Sequence, residues 1–140
     1  MQEEAENEQL RLTCEVLLAA SAVGVHWVLL APASSLAWRT PWVLQLAWSI
    51  ELRTDSVLFD WCRYGRAWLQ TTRAIVTAPW LRKLGRRCRG DHEHERLWGT
   101  VCDSSGTYSR AEAAATWSRP FCRRLLVLAT SSHLMLATSR

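Results

Sequence analysis

Val16–Trp38 reads VLLAASAVGVHWVLLAPASSLAW, a run of twenty-three residues without a formal charge in a chain where 21% of residues are charged. As a helix it would measure about 34 Å, against a bilayer hydrocarbon core of roughly 30 Å. Its nine Val and Leu residues favour insertion by about 3–5 kcal/mol. Gly24, His26, the serines and Pro32 oppose it. Three readings are open: a membrane span, a cleaved signal ending near Ala31-Pro32-Ala33, or a core helix. An acidic leader argues against the signal, because signal peptides begin basic. An all-round apolar helix is hard to cover in a small protein. Membrane association is the expectation, with secreted and cytosolic placements as alternatives.

Upstream, residues 1–15 form an acidic segment with five Glu against Arg11. Those glutamates suit a helix N-terminus, and residues 2–31 read as one helix that runs to the breaker Pro32. Downstream, Trp38-Arg39-Thr40-Pro41-Trp42 suits a membrane interface, with indoles at head-group depth and a guanidinium in water. WVLQLAWSI (42–50) is too short to span and is expected to fold back as a helical hairpin or to lie in the interface. Residues 16–50 are therefore read as one apolar, membrane-associated helical segment.

Residues 51–78 read as a basic amphipathic helix. Asp55-Ser56 offers a start. Val57, Trp61, Tyr64, Trp68 and Leu69 fall on one side, and Arg63, Arg66, Gln70 and Arg73 on the other. A cationic face opposite an aromatic one suits anionic lipid or a protein partner. The expected contact residues are Trp38, Arg39, Trp42, Trp61, Arg63, Arg66, Trp68 and Arg73. Residues 79–140 read as a basic, mostly irregular region. A capping box at Ser109–Glu112 predicts a short helix near 109–118, and the tail from Phe121 is left open between strand and helix. The expected fold class is mainly α: an apolar N-terminal helix, a helical hairpin, a basic amphipathic helix and an irregular C-terminal third.

Composition narrows the function classes. The chain of 140 residues has room for one domain. Seventeen Lys and Arg against thirteen Asp and Glu give a net charge of +4, which favours anionic partners. The Arg and Trp excess also follows from G/C-rich codons, so a reading frame without selected function is an alternative to weigh. Five cysteines in scattered positions make a poor disulfide framework. No GxSxG, Walker loop, HExxH or dinucleotide fingerprint occurs, and no enzyme activity, cofactor or small-molecule substrate is expected. Nucleic acid is an unlikely partner, because LRKLGRRCR (81–89) has no accompanying binding-fold signature.

Cys88, His92, His94 and Cys102 have the right donor types for zinc. Their C-x3-H-x-H-x7-C spacing matches no established zinc pattern, and DHEHE (91–95) reads as an exposed polar loop, so no metal is expected. His26 is expected to be a tolerated or hydrogen-bonded histidine rather than a catalyst.

Arg87-Cys88-Arg89-Gly90, then Trp98-Gly99-Thr100-Val101-Cys102-Asp103, then Cys122-Arg123-Arg124-Leu125 resembles the scavenger-receptor cysteine-rich domain over residues 87–125. The WGTVCD hexamer and the order of the three pieces carry the resemblance. The cysteine spacings and the residues after VCD depart from the family, and only part of such a domain fits. The resemblance implies an extracellular binding fragment with its C-terminal part outside the cell. The arginine asymmetry around Val16–Trp38 implies the opposite orientation. The leading functional expectation is a small, non-enzymatic, membrane-associated protein. The extracellular fragment and a soluble basic interaction protein are its alternatives.

Overall fold

The computed structural model describes residues 2–97, 100–103, 106–109 and 116–138. The elements run α1 (Gln2–Ala22), β1 (Val28–Pro32), α2 (Pro41–Ala47), β2 (Asp55–Asp60), β3 (Thr71–Val76), β4 (Thr100–Asp103), β5 (Gly106–Ser109) and α3 (Arg119–Thr138). Single 3-10 turns occupy Leu36–Arg39, Trp61–Tyr64 and Pro79–Leu84. β1, β3 and β2 form an antiparallel sheet with β3 in the middle, and β4 pairs with β5 in a separate hairpin. The fold is mixed α and β, which corrects the mainly-α expectation.

Two glycines account for most of that correction. The helix over 2–31 stops nine residues early, because Gly24 takes the left-handed conformation at φ 78°. The Gly24 N–H donates to the Ser21 carbonyl and the Val25 N–H to the Ala20 carbonyl. This is the Schellman arrangement, which satisfies the last helical carbonyls and turns the chain away. Val28–Pro32 then runs as an edge strand, where Pro32 withholds no hydrogen bond the sheet needs. The uncharged run is therefore split between a helix end and a strand. Among the described residues no helix is long and apolar enough to cross a membrane, which overturns the transmembrane reading.

Gly65 does the same to the expected basic helix. At φ 82° it closes the Trp61–Tyr64 turn, and a Cβ there would lie 3.1 Å from Pro120 Cγ. Residues 71–76 after it hold four β-branched side chains, which favour the pleated surface, and residues 55–60 before it hold Val57. They pair from Asp55↔Val76 to Asp60↔Thr71, while β1 pairs from Val28↔Val76 to Pro32↔Thr72 on the other edge of β3. The spacings of three and four between arginines and tryptophans thus fall across a strand–turn–strand unit. The C-terminal third is corrected as well: the tail is helical as α3, and Thr100–Asp103 pairs antiparallel with Gly106–Ser109. Of the short helix expected near 109–118, residues 110–115 lie outside the described residues and Ser109 ends β5.

The sheet separates two cores. On one face Val57, Phe59, Ala74 and Val76 meet Trp61, Tyr64, Leu81, Leu84, Phe121 and Leu128. Phe59 stacks on Phe121 at 5.0 Å between centroids, and Tyr64 meets both edge-on at 5.4 and 5.1 Å. Edge-to-face and offset contacts of this kind add about 0.5–1.5 kcal/mol per pair to area burial. On the other face Ile75 and Trp27 meet Cys14 of α1 and Val43 and Leu46 of α2. α2 thus packs beside α1, with β1 intervening in sequence. His26 is exposed and pairs through Nδ1 with the Thr77 hydroxyl at 3.1 Å.

Candidate metal centre

The end of β2 is where the chain becomes chemically interesting. Asp60 is 2% exposed, and such a buried carboxylate needs every lone pair answered. Its Oδ1 accepts from the Thr71 hydroxyl at 2.6 Å. Its Oδ2 accepts from the Cys88 N–H at 2.6 Å and from Arg87 Nε at 3.0 Å. Burial works against its ionisation, but these three donors outweigh it and hold the carboxyl below its usual range. The Asp60 N–H also donates to the Arg86 carbonyl at 2.8 Å. Residues 86–88 are thereby laid along the end of β2. The close approach begins one residue earlier, at Gly85, where a Cβ would sit 2.8 Å from Val57 Cγ1.

A second anchor lies further on. The Glu95 N–H donates to the Ala67 carbonyl at 2.8 Å, and Trp68 and Glu95 form an isolated parallel bridge. Between the two anchors runs Cys88-Arg89-Gly90-Asp91-His92-Glu93-His94, without one aliphatic or aromatic-hydrocarbon side chain to bury. Gly90 reverses it in the left-handed region at φ 71°. The reversal turns Cys88, His92 and His94 back over Cys62, which projects from the Trp61–Tyr64 turn.

One ligand atom from each of Cys62, Cys88, His92 and His94 lies within 4.8 Å of the others. The Cys88 sulfur approaches His92 Nε2 at 3.9 Å and His94 Nε2 at 3.5 Å. A tetrahedral zinc ion with its usual Zn–S and Zn–N lengths requires S···N edges of about 3.6 Å and an S···S edge of about 3.8 Å. The donor set suits that ion, and the two Cys88–imidazole distances lie within a few tenths of an ångström of such an edge. Two further contacts are those such a site needs around it. His92 Nδ1 faces Asp91 Oδ1 at 2.8 Å, a carboxylate partner that leaves Nε2 for the metal. The Gly90 N–H donates to the Cys88 sulfur at 3.3 Å, which favours the thiolate. The Asp91 carboxyl is held below its usual range, first by the His92 hydrogen bond.

Without a cation the same arrangement is unfavourable for negative charge. Burial, the hydrogen bond with Cys88 and the charges of Cys88 and Asp60 push the Cys62 thiol up to about 11. A bound dication reverses that balance by ionising the thiol outright. An open cleft of about 340 Å³, lined by Cys62, Arg63, Arg89, Asp91 and His92, leads to the donors from solvent.

Sequence spacing alone points to three of the four donors and sets them aside. The fourth, Cys62, is brought in by the β2–β3 hairpin, and among the described residues it takes the place considered for Cys102, which lies in β4. The expected contact residues are mostly spent on packing. Trp61 is buried at 5% exposure, and Trp42 and Trp68 pack against the two cores. The Trp38 Nε1–H donates to the Pro32 carbonyl at 2.8 Å, under the Arg73 guanidinium at 5.8 Å from the ring centroid. Arg73 also reaches the Ser56 hydroxyl at 3.1 Å. Arg66 lies over Trp68 and bonds Thr116, and Arg63 donates to the Arg87 carbonyl. Arg39 is exposed.

No protein-family model, curated protein or solved structure matches this chain. The pieces that carry the scavenger-receptor resemblance fall in different elements. Cys88 belongs to the donor cluster, Thr100–Asp103 is β4, and Cys122 is exposed on α3. Trp98 and Gly99 lie outside the described residues.

Proposed function

We propose that this chain is a small zinc-dependent domain in which Cys62, Cys88, His92 and His94 hold one structural ion, and that it works as a binding module rather than as an enzyme. The convergence of four donors of the zinc type within 4.8 Å carries the reading. A seven-residue polar loop has no apolar burial with which to offset the entropy of ordering it, about 1–2 kcal/mol per residue for the backbone alone. An ion that ties the loop to the Trp61–Tyr64 turn supplies the missing attraction. Four protein donors fill a tetrahedron and leave no position for a substrate or an activated water, which is the mark of a structural rather than a catalytic site.

Metal analysis of the purified full chain tests this. The expected result is one zinc per chain, and, on cobalt substitution, the d–d and thiolate-to-cobalt bands of a tetrahedral S2N2 site. Cys62→Ser and His94→Ala should each abolish stoichiometric binding. Retention of no metal at equimolar zinc, or undiminished binding in both variants, would overturn the proposal.

A further inference from the structure

Among the described residues, the side of the molecule built by α3 and the Pro79–Leu84 turn carries more positive than negative charge. Residues 79–90 hold five Arg and Lys and residues 119–124 hold three, and no Asp or Glu occurs in 79–90 or 116–138. Two of these cations have carboxylate partners: Arg82 with Asp55 at 2.7 Å and Arg87 with Asp60 at 3.0 Å. Of the others, Lys83, Arg86 and Arg124 are brought near one another by the fold. Arg124 reaches the Lys83 carbonyl at 3.4 Å, and the Arg86 guanidinium lies 5.3 Å from the centre of the Tyr64 ring. The charges of Arg86 and Arg124 are both felt at Tyr64. Cations crowded this way repel one another until an anionic surface is supplied.

The same side exposes apolar area. α3 turns Phe121, Leu125 and Leu128 into the core, at spacings of four and three. That rotation puts Arg119, Arg123, Leu126 and Val127 outward, with Leu126 68% and Val127 55% exposed. Trp117, just before the helix, is 48% exposed and meets the buried Phe121 ring edge-on at 5.4 Å, so it borders this face rather than standing on it. Arginines and aliphatics interleaved on one helix face match a surface that is anionic outside and apolar a few ångströms in. A phosphodiester backbone would satisfy the guanidiniums but has no use for exposed Leu and Val.

We propose that this face docks the protein on anionic phospholipid, with Arg119 and Arg123 at head-group phosphates and Leu126 and Val127 at the acyl boundary. The helix lies in the interface and does not cross it. The proposal is independent of the metal centre, whose donors none of these residues touch.

Flotation of the full-length protein with vesicles tests it, comparing phosphatidylcholine alone with phosphatidylcholine containing phosphatidylserine. Binding is expected only with phosphatidylserine and should fall as salt rises. Arg119→Glu with Arg123→Glu should reduce partitioning at least about tenfold, since each basic residue near such a surface contributes about a factor of five. Leu126→Ser with Val127→Ser should reduce it by about tenfold or more while leaving the urea midpoint unchanged, because both positions are exposed. If the arginine variant misfolds, Arg119→Gln with Arg123→Gln gives the same reading more mildly. Equal binding to neutral vesicles, or no binding to either, would sink the proposal. So would tight, salt-dependent capture of a single-stranded oligonucleotide that the Leu126/Val127 variant leaves intact; that result would assign the face to nucleic acid.

Discussion

The body of β2 and its C-terminal end are held by opposite physics. Val57 and Phe59, within the strand, enter an aromatic and aliphatic core in which Phe59, Tyr64 and Phe121 are at most 1% exposed. Asp60, where the strand ends, faces a loop that buries no hydrocarbon and is positioned by carboxylate, backbone and sulfur–imidazole contacts. Apolar burial is non-directional and tolerates approximate shapes. Polar and metal contacts are directional and fail when one partner is lost. The core should therefore resist changes of pH and metal that dismantle the loop, and the loop should survive small losses of core volume.

The largest expected effect is at the core. Phe121→Ala should lower unfolding free energy by about 3–5 kcal/mol, equally with zinc and with chelator, as read by urea denaturation. A loss under about 1 kcal/mol would show that α3 is not part of the cooperative unit.

Next comes proton competition at the loop. Zinc must displace a proton from Cys62, whose thiol stands at about 11, so binding weakens as pH falls. Affinity should drop between about tenfold and a hundredfold for each pH unit lowered, according to whether one or two thiol protons are displaced. Competition with a chromophoric chelator across the neutral range measures the slope. An affinity independent of pH would exclude thiolate ligation.

Asp60 links the two regions, and Asp60→Asn should cost about 2 kcal/mol, in line with lost charge-assisted hydrogen bonds. It should also weaken zinc binding by about tenfold or more, through misplacement of Cys88. The sign of its pH dependence follows from the lowered carboxyl pKa. Its contribution is complete above the unfolded value of about 3.9 and is lost as pH falls through the lower folded value. Acid titration of stability should therefore show a component below about pH 4 in the native protein that is absent from Asp60→Asn.

The smallest effect is at the turn that ends α1. Gly24→Ala meets no atom within 4 Å at the new Cβ, so its cost is the left-handed backbone alone, about 1 kcal/mol. Thermal unfolding should show a modest drop with no change in metal content. A larger loss would mean that the turn also positions Trp27, whose Nε1–H donates to the Ser21 hydroxyl at 2.7 Å.

How legible this was in the sequence varies with range. The acidic start of α1 and the extra cations of the second half follow directly from composition. Gly24 and Gly65 are plain in the sequence, but whether a glycine interrupts a helix or ends it depends on the bonds the next residues can make. At Gly24 the Val25 N–H completes that pattern. The arginine–tryptophan periodicity of 57–73 fits a helix on spacing, whereas the β-branched residues Val57, Thr71, Thr72, Ile75 and Val76 favour strands. The strand wins because β3 has partners on both edges. The donor loop shows the same limit from the other side. Cys88, His92 and His94 share one short segment, yet their local spacing excludes a familiar motif, since the fourth donor arrives across a hairpin.

The sequence by itself determined the donor types, the lack of apolar anchors in 88–94, the absence of Asp and Glu from the cationic stretches 79–90 and 116–138, and the glycines able to turn the chain. These are chemical properties of residues and survive any arrangement. Only the tertiary structure decided that the uncharged run is divided between helix and strand, that Cys62 stands beside Cys88, and that Asp60 is buried where the metal loop begins. Each depends on which strands pair, and pairing is settled by contacts distant in the chain, whose energy no local window contains.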